Sequence, residues 1–232
     1  MTERFFARPL IEGQPVELDP SESHHLQHVM RGRVGDRVTL FDGQGAEAPA
    51  SVASITRRSV VLQVGPVAHV SREAVQRMTL GVAPPRGHRD RFLVEKAVEL
   101  GVDRLVWLET SRGVVRFRPS AIEKHGRAVI EASKQCGRNQ LMTVEAMPLS
   151  SYLETVDAPV RWMAHTTPPA TMHQDVPSDA RSIALAVGPE GGFTDEEVSA
   201  ARQLGWQLVS LGPRTLRIET AALALCAKIV LS

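Results

Sequence analysis

Two loops near the C-terminal end carry the densest concentration of usable chemistry. The first, Gly188-Pro189-Glu190-Gly191-Gly192-Phe193-Thr194, follows the apolar run Ile183 to Val187. The second, Leu211-Gly212-Pro213-Arg214-Thr215-Leu216-Arg217-Ile218-Glu219-Thr220, follows Leu208-Val209-Ser210. Each reads as a strand end, a tight loop and a helix start. Glycines ahead of a helix bring backbone amides close to an anion or a polar ligand. Open α/β sheets bind ligands outside the carboxyl ends of their strands, so two such loops predict one shared pocket. The spacing matches neither G-x-G-x-x-G nor G-x-x-x-x-G-K-[ST], and dinucleotide or phosphate-loop chemistry therefore lacks its signature. A plain tight turn explains the first loop equally well. Capping by Glu219 or Thr220 explains part of the second. Capping does not explain Arg214 and Arg217, because positive charge ahead of a helix N-terminus is unfavourable.

Other polar constellations are weaker. His24-His25-x-x-His28 places two histidines four apart on one helical face. It lacks the glutamate of H-E-x-x-H and any third ligand spacing, so no metal is expected. Arg31 and Arg33 follow directly and suit phosphate. Pro84-Pro85-Arg86-Gly87-His88-Arg89-Asp90-Arg91 supplies Arg86, Arg89 and Arg91. Residues 71–140 carry a net charge of +6, against −1 before them and −4 after, and 23 of the 27 cations are arginine. A basic middle segment points weakly to nucleic acid. Aromatics make up 4% of the chain, which argues against base stacking as the means of holding RNA. Cys136 and Cys226 lie far apart in helix-like segments and read as small apolar residues. No apolar run reaches membrane-spanning length and the first residues lack a signal-peptide pattern, so a cytoplasmic protein is expected.

The elements that must position these residues fall into two classes. Up to about residue 70 the chain reads as short strands with turn signals: Arg4-Phe5-Phe6, Val38 to Phe41, Ala50 to Ile55 and Ser59 to Val64. That spacing suggests a small barrel. One helix interrupts it, capped at Asp19-Pro20 and running to about Met30, with Leu26, Val29 and Met30 turned inward. From Met78 strands and helices alternate, which implies a mostly parallel sheet with helices on both faces. Met78–Ala83, Leu105–Leu108, Trp162–His165, Ser182–Val187 and Leu208–Leu211 read as strands. Helices are expected from Asp90 as cap to Leu100, from Ser120-x-x-Glu123 to Gly137, from Thr194-x-x-Glu197 to Gly205, and from Thr220 to Leu231. Pro148–Asp157 and Pro168–Pro177 read as loops or linkers.

At these residues the chain resembles a known family. The Gly188–Thr194 loop, followed about twenty residues later by Leu211 to Ala221, is similar to the RsmE family, the small-subunit ribosomal RNA uridine-N3 methyltransferases of the SPOUT superfamily. Ser23-His24-His25-Leu26 to Met30-Arg31 with Gly35-Asp36 resembles the family's N-terminal signature. Glu95-Lys96-Ala97-Val98-Glu99-Leu100-Gly101-Val102 and Glu131-Ala132-Ser133-Lys134-Gln135-Cys136-Gly137-Arg138 resemble two further motifs. Within the second loop, Thr215 stands where the family commonly has an aliphatic residue, and Ile218 where it has threonine.

The resemblance implies a PUA-like β-barrel RNA-binding domain over residues 1–70 and a SPOUT methyltransferase domain with a trefoil knot over 71–232. It implies S-adenosylmethionine (SAM) as cofactor, a homodimer, and 16S ribosomal RNA on the small subunit as substrate. Carried onto these residues, the cofactor set is His165, Val187, Gly188, Pro189, Glu190, Gly191, Gly192, Leu211, Gly212, Arg214, Leu216 and Thr220. Arg217 is the candidate for stabilising the reacting uridine, and Glu219 is a candidate general base with a competing capping role. Arg31, Arg33, Arg86, Arg89 and Arg91 are the candidate RNA contacts. Two other readings stay open. A non-catalytic RNA-binding or assembly protein would have no need of the Gly188–Gly192 cradle, and a nucleotide-dependent enzyme would lack its phosphate loop.

Overall fold

In the N-terminal part, alternate residues of three strands share one core. Val38 and Leu40, then Ala48, Ala50 and Val52, then Val60, Leu62 and Val64 are all buried in it, the period-two signature of a half-covered sheet. The strands are β1 (Arg4–Phe6), β2 (Pro15–Glu17), β3 (Arg37–Phe41), β4 (Ala46–Ile55), β5 (Val60–Val64) and β6 (Ala68–His69), with α1 (Pro20–His24) after β2. They pair in the order β1-β3-β4-β5-β2, with β6 on β4. A register shift between Val52 and Ser54 inserts one extra residue into β4 against β5, the bulge that lets a strand bend. This is a computed structural model that describes residues 3–87, 89–115, 119–166, 176–177 and 179–231. The chain divides into two compact units, Met1–Glu73 with Ile130–Leu141, and Ala74–Val129 with Met142–Ser232.

Asp19 caps α1 as expected, its side chain accepting from the Glu22 amide at 2.8 Å. The helix does not continue regularly to Met30. Residues His25–Val29 form a π-helical turn. The extra residue per turn rotates the following side chains. Leu26 is buried, but Val29 and Met30 are exposed rather than turned inward. Arg31 then takes a left-handed backbone, φ 54°.

The second unit is a parallel sheet in the order β12-β10-β11-β7-β8-β9. Its strands are β7 (Arg77–Val82), β8 (Arg104–Glu109), β9 (Thr143–Pro148), β10 (Val160–Ala164), β11 (Ser182–Val187) and β12 (Gln207–Val209). The helices are α2 (Arg89–Glu99), α3 (Pro119–Cys136), α4 (Leu149–Thr155), α5 (Asp195–Gln203) and α6 (Ile218–Val230). Strand alternation sends Val106, Leu108, Met163, Ala184 and Ala186 toward α4 and α5, where Tyr152, Leu153, Ala201 and Trp206 complete one core. The opposite residues meet other helices: Lys228 of α6 lies 5.6 Å from the Trp162 ring centre, and the Trp107 indole donates to His125 of α3 at 3.3 Å.

Several expectations change here. Pro148–Asp157 is not a linker. It holds α4, whose Tyr152 is fully buried and donates to the Leu185 carbonyl at 2.9 Å. Burial pushes the Tyr152 hydroxyl pKa upward, so it stays a donor. Asp90 lies inside α2 instead of capping it, with its carboxylate 3.0 Å from His125. Helix α3 begins at Pro119, so Ser120 is inside it. The Thr194–Glu197 capping box closes in both directions. Pro168–Pro177 lies almost wholly outside the described residues.

Gly81 sits where Tyr152 crosses the sheet, and a Cβ there would meet the ring at 2.6 Å. Gly81→Ala should therefore destabilise the second unit by about 1–3 kcal/mol, read as a lower denaturant midpoint with an unchanged slope.

Candidate functional site

The site grows from the ends of three adjacent strands. Strand β10 pairs with β11 on one side and β12 on the other, all parallel. Ala164 is level with Val209, and the His165 amide donates onward to the Val209 carbonyl at 2.9 Å. The loops after β11 and β12 therefore leave the same edge of the sheet, one on each side of the β10 end. Between them lies a cavity of about 280 Å³, near the lower bound for small-molecule sites.

Most of the expected cofactor residues line this cavity: His165, Val187, Gly188, Pro189, Glu190, Gly191, Gly192, Leu211, Gly212, Arg214 and Leu216. Thr220 is exposed and outside the lining. Ile218 and Ala221, three apart on α6, take the face turned to the cavity instead. Phe193, Thr166, Val209 and Thr215 also line it, outside the expected cofactor set. Arg217 is the N-cap of α6, exposed and not among the lining residues.

Backbone conformation explains the glycines. Gly192 has φ 70° and closes a turn by donating to the Pro189 carbonyl at 2.8 Å. Gly212 has φ 106°, and a Cβ there would meet nothing within 4 Å. Its constraint is thus backbone conformation beside open space, the surroundings a bound ligand could fill. At Gly188 a Cβ would press on the Phe193 ring at 3.1 Å.

The first loop is clamped from the end of β8 by Arg112 and Ser111, which no motif announces. Arg112, after β8, donates to the Gly191 carbonyl at 2.8 Å and the Phe193 carbonyl at 3.2 Å. Next to it the Ser111 amide donates to Glu197 Oε1 at 2.8 Å, while Glu197 Oε2 accepts from the Thr194 amide at 2.8 Å. One carboxylate thus ties the start of α5 to the end of β8.

Glu219 does not cap α6. It is buried, and its Oε1 accepts from Arg89 Nη1 at 3.1 Å. Its Oε2 is sealed from solvent with no hydrogen-bond partner among the described residues, an arrangement that costs roughly 1–3 kcal/mol. Arg91 pairs with Glu95 along α2 at 2.7 Å, and Arg86 is exposed. In the first unit Arg31 and Arg33 are exposed. His24 and His28 stack with ring centres 4.6 Å apart. Among the described residues no group of three or more His, Cys, Asp or Glu could hold a metal ion, and no helix is long and apolar enough to cross a membrane.

The motif Glu131–Arg138 does structural work in the first unit. Arg138, almost wholly buried, forks onto Glu73, and Lys134 reaches the buried Glu22 at 2.9 Å. Neighbouring Asn139 donates to Glu47 at 3.0 Å. The hydrogen bond from Arg72 holds the Glu47 carboxyl down at about 2. Burial raises the Glu22 carboxyl above its ordinary range despite Lys134.

Comparison with known proteins decides the family. The model of an RNA methyltransferase domain matches residues 72–230, and that of an RNA methyltransferase PUA domain matches residues 18–65. The chain belongs to the RNA methyltransferase family that includes ribosomal RNA small subunit methyltransferase E. Such an enzyme from Synechocystis is 30% identical over 92% of this chain and 72% of its own. One from Neisseria gonorrhoeae, solved bound to S-adenosyl methionine, is 30% identical with a TM-score of 0.90 over 98% of this chain and 96% of that one. A Legionella pneumophila chain in complex with cofactor SAM is 31% identical, TM-score 0.92, over 99% and 97%.

Arg112→Ala should free the first loop without unfolding the sheet. Amide hydrogen exchange at Gly191–Phe193 should rise about tenfold, the loss of roughly 1–1.5 kcal/mol of hydrogen bonding, with β11 unchanged.

Proposed function

We propose that the chain is a SAM-dependent methyltransferase acting on N3 of a uridine in 16S ribosomal RNA of the small ribosomal subunit. The observation that carries this reading is the convergence of both glycine loops on one cavity, in a chain of the RNA methyltransferase family. The cavity suits SAM. Four glycines, Gly188, Gly191, Gly192 and Gly212, leave the backbone open without side chains in the way, and Val187, Leu211, Leu216 and Ile218 supply apolar walls for a flat base. Bound there, SAM supplies an electrophilic methyl group on a sulfonium.

The rest falls to the chain's own residues. The loop residues hold the cofactor, and Glu190 and Arg214 read its polar groups. Arg217, at the mouth of the second loop, holds a uracil carbonyl or a phosphate as negative charge develops. Positioning of two substrates is the main catalytic task, an effect that reaches roughly 7–11 kcal/mol in favourable cases. Residues 71–232 form the SPOUT methyltransferase domain with its trefoil knot. Residues 1–70 form the PUA-like domain, with Arg31 and Arg33 on RNA phosphates and Arg86, Arg89 and Arg91 joining them. Two copies pair as a homodimer, a state supported by the half-exposed apolar residues Leu223, Ala224 and Ala227 on α6. The enzyme works in the cytoplasm, beside its ribosomal substrate, and without a metal.

Calorimetric titration with SAM tests the cofactor. Clear binding, weakened at least about tenfold by Gly191→Leu, is expected, whereas no binding at millimolar SAM with or without RNA contradicts the proposal. Arg217→Ala should lower turnover by about 10²–10³-fold while leaving SAM affinity nearly intact. Equal losses in both would remove its assigned role. RNA binding should weaken steeply with salt, with log K falling linearly in log salt, and a flat dependence would remove the phosphate contacts.

A further inference from the structure

The pair formed by Arg89 and Glu219 joins two candidate residues of different assumed roles, 130 positions apart. Its asymmetry is informative. The Glu219 side chain is 9% exposed and the Arg89 side chain 41%. Glu219 lies in the first turn of α6, between Ile218 and Ala221, which both line the cavity. Arg89 opens α2. The pair therefore ties the start of α2 to the rim of the cofactor cavity.

A general base needs an oxygen that the departing proton can reach. Glu219 offers none as it stands. Oε1 is taken by Arg89, and Oε2 is sealed from solvent. A buried carboxylate holding a half-exposed guanidinium is instead an anchor. Arg89 uses Nη1 on Glu219, and no other hydrogen bond of its side chain is present among the described residues. Its remaining donors, on Nε and Nη2, stay available in a fixed planar fork, the arrangement that meets phosphate or carbonyl oxygens at low entropic cost. Its neighbours differ. Arg91 is 70% exposed and paired within its own helix, and Arg86 is exposed on the loop before α2.

We infer that Glu219 is a positioning residue for Arg89, and that Arg89, so held, takes an oxygen of the RNA substrate beside the cofactor cavity. This rests on the RNA methyltransferase reading. It replaces the general-base role for Glu219 and separates Arg89 from the exposed arginines around it. The phosphate and the uracil carbonyl share the chemistry the fork recognises. A phosphate contact makes the effect of Arg89→Ala fall with salt, and a carbonyl contact leaves it constant.

A double-mutant cycle on the full-length protein tests the inference. Methyl transfer to small-subunit RNA is measured for wild type, Glu219→Gln, Arg89→Ala and the double variant, together with SAM affinity and the pH–rate profile. Each single variant should lose about 10²-fold in kcat/KM for RNA and keep SAM affinity. The double variant should be no worse than Arg89→Ala within about twofold, because independent effects would multiply. Glu219→Asp should recover part of the loss, and Glu219→Gln should keep the wild-type slope of rate against pH. Two results overturn it: a Glu219→Gln loss that persists undiminished in the Arg89→Ala background, or loss of the pH-dependent limb in Glu219→Gln. Absence of transfer by the wild type would contradict the functional reading itself, and is thereby told apart.

Discussion

The site depends on one constraint, the insertion of β10 between β11 and β12 in a parallel ladder. Parallel pairing puts all three carboxyl ends on the same edge. The registers Met163↔Ala186 and Ala164↔Val209 keep those ends level. With β10 between them, the two glycine loops leave the same edge on either side of the β10 end, and the cavity lies between them. Everything functional is downstream of that pairing. Residues of both loops line one cavity, α6 starts at its rim, and Glu219 in the first turn of α6 reaches Arg89.

Much of this was legible in the sequence because glycine and capping chemistry are local. Gly192 and Gly212 need left-handed backbones, and Thr194 with Glu197 closes its box within four residues. The strands β11 and β10 showed as short apolar runs for the same reason. Long-range partners were not legible. Nothing in the spacing says that Arg112 belongs to Gly191, 79 residues on, or that Asp90 turns to His125 instead of capping α2. Helix α4 is hard to read from sequence because Pro148, Ser150 and Ser151 mimic a linker, and its seven residues carry only Leu149, Tyr152 and Leu153 as buried positions, too few to show a helical period. A period of 3.6 turns Val29 and Met30 inward, and the π-helical turn breaks that period, leaving both exposed.

The first unit shows how a motif can be architectural. The stretch Glu131–Arg138 carries Lys, Gln, Cys and Arg, which together look reactive. Its basic members face carboxylates instead: Lys134 meets Glu22, and Arg138 meets Glu73. With Arg4, Arg72 and Asn139 gathered on Glu47, the network fastens residues 130–141 to the N-terminal sheet by charge-assisted bonds in place of a larger apolar core. Cys136 makes no disulfide, and Cys226 is buried with its thiol pushed up to about 12 by burial. Cys226 therefore lacks the thiolate character of a nucleophile.

The most direct test of the account is nucleoside analysis of unmethylated small ribosomal subunits incubated with the purified protein and isotopically labelled SAM. The account predicts label in 3-methyluridine of 16S RNA, at one position and in near-unit yield. Label in another nucleoside, or none despite bound SAM, would contradict it.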